Sequence, residues 1–477
     1  MKNILLLFFC LPFFATAQKK PTTPQEKAVD EKAQLVKNYF NKKDIDSLYT
    51  LLAPSFKKQV SKEVLKNGMV DQLGPYGIIV NFDFVNQKNG ISKYKTLFSA
   101  GITLQTIIQL DEEGLINILA MQPYKDEDAP KRKILYNDNE LKTAFDTAVD
   151  KAARSYMMDT ATKGLSIGVY YNNQQYFYNY GEANKADDLK ASTETVYEIG
   201  SITKTFAGNL LAKAVKQRLI QLNDPITKYL PDSVAANPAL QKITIGQLAN
   251  HSSGLPRLPF DIFLAPGLDP KDPYFHYDEK LLFNSLKQIK PIKEPGEQYE
   301  YSNYAFGILG TILSRVYKKP FTDLVKQNFI IPLQMIHTTA ENKVLPGQAI
   351  GYNDMGEPTA YWNFTSMATA GSIKSNAADL LNYGIQSMKD MTDKKGNPTL
   401  LATTTWDSNP NIVTLAWHRN PADQQPAIYQ HGGGTYGFRS QITICPAQKW
   451  VVVCLANQGV DPGASGVAAA IENFFNR

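Results

Sequence analysis

Apolar residues in the first quarter of the chain follow a helical period and then a strand period. They recur every three or four positions over residues 26–40, which predicts a helix with one apolar face: Val29, Ala33, Val36 and Phe40. A second helix is predicted over 45–52. Four strands follow, separated by Asn, Gly or Asp-Glu-Glu-Gly turn signals: 78–85, 94–99, 102–110 and 115–120. This order of elements predicts a small α+β unit over residues 18–124.

A second, larger unit is predicted over residues 139–477, after a charged, proline-containing linker at 125–138. A helix at 141–158 opens it, and another at 462–475 closes it. Strands are predicted near both of its ends: 164–171, 175–180, 412–417, 428–430, 438–445 and 450–455. These strands can form one sheet, and the mostly helical middle forms a separate lobe. A cleft between the sheet and the lobe is where a ligand site is expected.

Residues 1–17 have the pattern of a secretory signal peptide. Lys2 supplies a positive start, the run 4–14 is almost entirely apolar, and small residues up to Ala17 fit a cleavage site. The apolar run is too short for a comfortable transmembrane span. We therefore predict cleavage near Ala17 and export to the periplasm or the cell exterior.

Composition and charge limit the classes of partner. The chain has 477 residues, of which 43% are hydrophobic, so it can bury a large core without disulfides or metals. A net charge of +5 over this length does not favour nucleic acid or an anionic membrane as a partner. His276, His337 and His418 show no metal-ligand spacing, so we predict no metal and no other cofactor.

Two cysteines follow the predicted signal peptide, in neighbouring strands joined by a four-residue turn. Such a turn pairs Cys445 with Trp450 and Cys454 with Gln441, so the sulfurs do not face each other. A disulfide is therefore disfavoured, and two buried free thiols are expected.

The first chemical motif is Ser201-Ile202-Thr203-Lys204. Residues three apart lie on one face of a helix, so the serine hydroxyl and the lysine amine can touch. Burial beside a helix start lowers the pKa of a lysine, and a neutral amine in contact with a serine is a general base. The same pattern recurs at Ser55–Lys58 and Ser92–Lys95, so it needs support from its context.

That context consists of two further motifs in order. Tyr301-Ser302-Asn303 lies about a hundred residues downstream of the serine, and the sequence His431-Gly432-Gly433-Gly434 follows near the last strands. Together with stretches such as residues 248–256, these motifs resemble the serine β-lactamase and penicillin-binding-protein superfamily over 141–475. The branch most similar to them holds class C β-lactamases, DD-carboxypeptidases, D-aminopeptidases and related esterases. The resemblance implies an α/β (α+β) fold, with a central antiparallel sheet flanked by helices and an all-helical lobe.

The resemblance also implies a role for each matching residue. Ser201 forms an acyl-enzyme, and Lys204 and Tyr301 share the transfer of its proton to the leaving group. The backbone N–H groups of Ser201 and Gly434 form the oxyanion hole, and Asn303 holds the acyl-side amide of the substrate. The strand that starts at His431 aligns a peptide-like substrate, which Gly433 allows to approach closely.

One position departs from the β-lactamase pattern. His431 stands where β-lactamases carry the lysine of Lys-Thr-Gly, and a histidine is largely neutral at pH 7. A histidine at this place is similar to the peptidase and esterase branches. The resemblance therefore implies a serine peptidase that acts on D-amino-acid-containing or peptidoglycan-type peptides, exported as residues 1–17 predict. The alternatives are a β-lactamase, a small-ester hydrolase, or a catalytically silent protein that binds β-lactams or peptides. His251 is interpreted as a turn and packing residue.

The first unit lies outside this resemblance. Its element order is similar to the small cone-shaped domains of the nuclear-transport-factor-like superfamily, which implies binding, positioning or oligomerisation. The sequence does not rank these three roles.

Overall fold

The structure is a computed structural model that describes residues 20–99, 102–124, 136–157, 164–408, 410–421, 423–459 and 463–475. The predicted signal peptide and most of the predicted linker lie outside these ranges. The chain divides into two compact units, Met1–Ala129 and Pro130–Arg477. No helix among the described residues is both long enough and apolar enough to cross a membrane.

The described part of the first unit begins with four helices: α1 (Pro24–Lys42), α2 (Ile45–Thr50), α3 (Pro54–Lys57) and α4 (Lys62–Lys66). The Thr23 hydroxyl accepts the Glu26 N–H while the Glu26 carboxylate accepts the Thr23 N–H, a capping box that fixes the start of α1. Such a cap contributes about 1 kcal/mol. All four apolar residues predicted to share a face of α1 are buried, which confirms that helix.

Four strands complete the described part of this unit: β1 (Ile79–Lys88), β2 (Ile91–Phe98), β3 (Thr103–Leu110) and β4 (Ile116–Pro123). They form an antiparallel sheet in the order β1-β2-β3-β4. Every second residue of β2 is buried, as expected for a sheet with one face on the core. The four predicted strands are confirmed, and the unit has its own apolar core drawn from residues 29–116.

The second unit mixes helices and strands in the order that the sequence predicts. Its described helices are α5 (Ala144–Met157), α6 (Thr203–Lys216), α7 (Asp232–Ala235), α8 (Ile245–Ala249), α9 (Glu279–Gln288), α10 (Asn303–Tyr317), α11 (Phe321–Val325), α12 (Ala368–Gly371), α13 (Ala377–Asp390) and α14 (Gly463–Phe475). Its described strands are β5 (Gly164–Tyr171), β6 (Gln174–Asn184), β7 (Leu189–Lys190), β8 (Tyr197–Glu198), β9 (Lys374–Ser375), β10 (Trp406–Ser408), β11 (Asn411–Val413), β12 (His418–Arg419), β13 (Tyr429–Gly434), β14 (Arg439–Cys445) and β15 (Trp450–Ala456).

Strands from both ends of this unit meet in one sheet. Within the described ranges its order is β10-β11-β12-β13-β14-β15-β5-β6-β7, and neighbouring strands run antiparallel. Every residue of β15 is buried, because helices cover both faces: Val453 joins the core under α13, and Val452 joins the core under α5 and α14. The predicted fold class, a central antiparallel sheet flanked by helices with an added helical lobe, is confirmed.

The segment just before the second unit's first helix is tied to the sheet. Asn137 bridges Tyr180 at the edge of β6, and the Asp138 carboxylate accepts hydrogen bonds from the backbone and side-chain N–H groups of Asn179. The Tyr136 carbonyl accepts the Gly181 N–H. The last residues of the predicted linker therefore extend the sheet of the second unit.

One predicted strand, 412–417, is too long. Strand β11 ends at Val413, and the Thr414 N–H donates to the Trp417 carbonyl across a tight turn. Ala416 has a positive φ of 69° in this turn, a left-handed conformation that the apolar pattern does not reveal.

The register of β14 and β15 agrees with the sequence analysis. Cys445 pairs with Trp450 and Cys454 pairs with Gln441, so the two thiols lie at different positions along the hairpin. Both cysteines are free and buried, as expected.

Candidate active site

Ser201 lies in a 3₁₀ turn, Gly200–Ile202, between strand β8 and helix α6. Strand β13 packs so closely on this turn that side chains are excluded on both sides. A Cβ atom on Gly433 would lie 2.0 Å from the Ile199 carbonyl oxygen, and one on Gly200 would lie 2.7 Å from the Gly434 nitrogen. Gly200 also has a φ of +48°. The glycines therefore bring the nucleophile and the predicted oxyanion-hole residue Gly434 together.

Lys204 contacts Ser201 from the first turn of α6. Its Nζ lies 2.9 Å from the Ser201 Oγ and donates a hydrogen bond to the Ala370 carbonyl at 2.7 Å. The lysine side chain is fully buried. Burial, and to a lesser extent the Arg257 cation, lower the Lys204 pKa well below its usual value. A neutral amine at this distance is suited to remove the serine proton.

Tyr301 completes the group around the nucleophile. The Lys204 Nζ lies 5.0 Å from the centroid of the Tyr301 ring. Burial raises the Tyr301 pKa to about 12, although its interaction with Ser201 and the charge of Arg257 oppose the shift. The phenol is therefore protonated near neutral pH and can donate its proton. Three predicted residues from two separate segments thus converge.

Asn303 is the first residue of α10, directly after the cap Ser302, whose hydroxyl accepts the Ala305 N–H. The Asn303 Nδ2 donates to the Tyr274 hydroxyl at 3.0 Å. Its Oδ1 is buried and has no hydrogen-bond partner among the described residues. This oxygen is available to accept an N–H group from a ligand.

A cavity of about 70 Å³ opens beside the nucleophile. It is lined by Gly200, Ser201, Arg257, Tyr274, Asn303, Trp362, Phe364, Ala370, Gly371 and Gly434. Tyr274 stacks on Phe364 and meets Trp362 edge-on, so one wall is aromatic. The sequence analysis missed this wall and Arg257. Arg257 could have been identified from its position in the sequence, directly after the motif at 248–256.

His431 lies beside this cavity and does not line it. Its buried ring faces Tyr301 and His418, with centroid distances of 6.5 Å and 5.2 Å. Its Nδ1 lies 2.6 Å from the Gly432 carbonyl oxygen, so it donates there as the Nδ1–H tautomer. Burial is the largest cause that lowers the pKa values of His431 and His251 well below the usual range, and of His418 to about 4. The site therefore has a neutral imidazole where β-lactamases have a lysine.

His251 positions the tyrosine loop. Its Nδ1 accepts the Ser302 N–H at 3.1 Å, and its ring lies 4.3 Å from the Tyr301 ring. The Glu300 N–H donates to the His251 carbonyl. These contacts on both sides of Tyr301 agree with the interpretation of His251 as a turn and packing residue.

The two other Ser-x-x-Lys copies do not form comparable sites. Ser55 is exposed on the short helix α3. Ser92 and Lys95 lie in strand β2, where residues three apart point to opposite faces. The Ser92 hydroxyl accepts a hydrogen bond from Gln87 instead.

Comparisons with known proteins identify the family of the region that carries this site. A family model described as Beta-lactamase matches residues 149–473. A beta-lactamase of Providencia stuartii is 25% identical over 350 residues, covering 65% of this chain and 86% of the relative. One from Pseudomonas fluorescens is 27% identical over 357 residues, covering 68% and 96%. Protein flp of Staphylococcus aureus strain MW2 is 28% identical over 307 residues, and the match spans 62% of this chain and 59% of flp.

Solved structures share the fold of this region. A class C beta-lactamase superposes with a TM-score of 0.61 at 23% identity, covering 69% of this chain and 96% of the other. The beta-lactamase/D-alanine carboxypeptidase from Pseudomonas syringae gives a TM-score of 0.60 at 24% identity, covering 69% and 99%. With the family model matching more than half of the chain, the protein belongs to the beta-lactamase family of serine hydrolases.

Proposed function

We propose that this protein is a peptidase that cleaves amide bonds in D-amino-acid-containing peptides through a Ser201 acyl-enzyme. The observation that carries the proposal is the buried Lys204 amine, which lies 2.9 Å from the Ser201 hydroxyl and whose pKa burial lowers. Export, which residues 1–17 predict, would bring the enzyme to peptidoglycan-type peptides.

The reaction follows from the protonation states of the three groups. The Ser201 Oγ attacks the scissile carbonyl carbon while its proton passes to the Lys204 Nζ. The backbone N–H groups of Ser201 and Gly434 stabilise the oxyanion, at about 3–4 kcal/mol per donor. The C–N bond then breaks as the Tyr301 hydroxyl gives its proton to the leaving amine, and the proton on Lys204 returns to the phenol oxygen. Water, activated by the same groups, cleaves the ester and restores Ser201.

Strand β13 supports a peptide as the substrate. In the described structure, β12 pairs with β13 only through Tyr429 and Gln430. From His431 to Gly434, the strand pairs with β14 on one side, and no described strand pairs with its other side. An extended peptide can add to this free edge by backbone hydrogen bonding. Asn303, with its unpartnered Oδ1, would hold the amide on the acyl side.

The neutral His431 disfavours efficient hydrolysis of a β-lactam. A lysine at this position supplies a permanent cation for the carboxylate of a β-lactam, and the buried imidazole of His431 supplies none at neutral pH. The structural neighbour from Pseudomonas syringae is named for both activities, beta-lactamase and D-alanine carboxypeptidase. The second candidate, a β-lactamase, is favoured by the two relatives that carry that name.

A substrate panel separates these functions. Diacetyl-Lys-D-Ala-D-Ala, nitrocefin and p-nitrophenyl acetate would be supplied to the wild type, to Ser201→Ala and to Ser55→Ala, the exposed serine of a second Ser-x-x-Lys copy. We expect D-alanine release to be the fastest reaction, to be lost in Ser201→Ala and to be kept in Ser55→Ala. Faster turnover of nitrocefin would identify a β-lactamase, and faster turnover of the ester would identify an esterase. If neither penicillin nor fluorophosphonate labels the wild type at Ser201, the protein is a binder.

A further inference from the structure

Arg257 is the one charged side chain among the described residues that line the cavity beside Ser201. Its guanidinium carbon lies 5.1 Å from the centroid of the Tyr301 ring. The side chain is exposed, and within the described residues it has no carboxylate partner. A cation at the mouth of an aromatic cavity is therefore left without a counter-ion.

The charge of Arg257 affects the pKa values of active-site residues. Its charge contributes to the lowered pKa of Lys204 and opposes the raised pKa of Tyr301 and of Tyr274. A ligand anion beside Arg257 would therefore sit within reach of the groups around Ser201. Closing a substrate over the cavity would also strip water from the guanidinium, which is costly unless an anion replaces that water.

The backbone fixes Arg257 on the side of the cavity that holds Asn303. The Arg257 carbonyl accepts the Asn303 N–H at 2.9 Å and the Tyr304 N–H at 3.2 Å, which ties this residue to the start of α10. The aromatic wall of Tyr274, Trp362 and Phe364 lies on the same cavity. The buried Trp362 Nε1 has no hydrogen-bond partner among the described residues, so it too can donate to a ligand.

We propose that Arg257 binds a carboxylate on the acyl portion of the substrate, so that the enzyme selects acidic acyl donors. A guanidinium can bind a carboxylate through two parallel hydrogen bonds, which gives both affinity and orientation. The aromatic wall then packs against the apolar part of the same acyl group. This inference rests on the proposed function, because it takes the Asn303 side as the acyl side.

The test compares two peptides that differ by one charge, acetyl-Glu-D-Ala-D-Ala and acetyl-Gln-D-Ala-D-Ala. Binding to the full-length Ser201→Ala protein is measured by calorimetry, so the result does not depend on turnover. A charge-assisted hydrogen-bonded pair contributes about 1.5–3 kcal/mol, so we expect the Glu peptide to bind about tenfold or more tightly. This preference should weaken as salt is added.

Adding Arg257→Gln should remove the preference, so that the two peptides bind with affinities within about twofold of each other. Its urea unfolding midpoint, compared with that of Ser201→Ala, shows whether the variant is folded. Arg257→Lys should keep part of it, because lysine retains the charge and loses the paired geometry. Arg218→Gln, which removes an exposed arginine outside the cavity lining, is the matched control and should keep the preference in full.

Equal affinity of Ser201→Ala for the two peptides, including no measurable binding of either, overturns the assignment. A preference that survives Arg257→Gln overturns it as well. Failure of the proposed function is seen separately, as the absence of Ser201-dependent D-alanine release by the wild type from both peptides.

Discussion

At the scale of single residues, burial shifts the pKa values of two neighbouring groups in opposite directions. Low polarity disfavours charge, so it lowers the pKa of the Lys204 amine and raises that of the Tyr301 phenol. Both shifts favour the neutral form of the group. The amine is therefore suited to act as the base and the phenol to act as the acid.

Replacing Lys204 should remove the base and leave the rest of the site in place. We expect Lys204→Gln to slow acylation of Ser201 by about 10²–10⁴-fold, the usual contribution of general base catalysis. In the wild type, acylation should increase as pH rises through the lowered Lys204 pKa, because only the neutral amine accepts a proton. Stopped-flow labelling with a fluorescent penicillin or fluorophosphonate across pH 5–9 measures both effects.

Lys95→Gln, in a second Ser-x-x-Lys copy, is the control for the loss of a lysine and should leave the labelling rate unchanged. A Lys204→Gln protein that labels at the wild-type rate would contradict the role of this amine.

At the scale of elements, the site depends on how closely strand β13 packs against the turn that carries Ser201. A methyl group on Gly433 would collide with the Ile199 carbonyl, which belongs to the backbone and cannot rotate away. Gly433→Ala should therefore push the strand outward and displace the Gly434 N–H. We expect a loss of acylation rate of about 10²–10³-fold, as for the removal of one oxyanion donor. Overpacking should also lower the free energy of unfolding by about 1–3 kcal/mol.

Urea unfolding and labelling kinetics measure the two consequences of Gly433→Ala. Gly68→Ala is the matched change, since a Cβ there meets no atom within 4 Å. If Gly433→Ala labels as fast as Gly68→Ala, the close packing of β13 is not needed for the reaction.

Elements and motif residues could be read from sequence because their signals are local. Strand β5 begins and ends where its apolar run predicts, and Ser201 and Lys204 are three residues apart on one turn. The cavity wall is different, because Arg257, Tyr274 and Trp362 meet only after distant segments fold together. The orientation of the His431 side chain could not be predicted from the sequence either. Its burial against Tyr301 depends on tertiary packing, which motif spacing does not encode.

At the scale of the whole molecule, each unit has its own apolar core. One core is drawn from residues 29–116, and the cores of the second unit are drawn from residues 145–471. The described residues that line the cavity beside Ser201 all belong to the second unit. We therefore expect the second unit to fold and react alone.

A truncated chain that begins at Pro130 should keep the Ser201 labelling rate of the full protein. One that begins at Asn139 should be less stable, because it loses the bonds of Tyr136 and Asp138 to the edge of β6. At about 0.5–1.5 kcal/mol per hydrogen bond, we expect a deficit of about 2–4 kcal/mol. Thermal and urea unfolding of both fragments test this. Inactivity of the Pro130 fragment, despite cooperative unfolding, would show that the first unit takes part in the chemistry.

The unbridged thiols of Cys445 and Cys454 have a practical consequence. Because no disulfide joins any of the described residues, we expect them to fold without an oxidising environment. Burial raises the pKa of both thiols, so neither readily forms the reactive thiolate. Recombinant protein prepared in a reducing cytosol, or stored with dithiothreitol, should therefore match material matured under oxidising conditions in melting temperature.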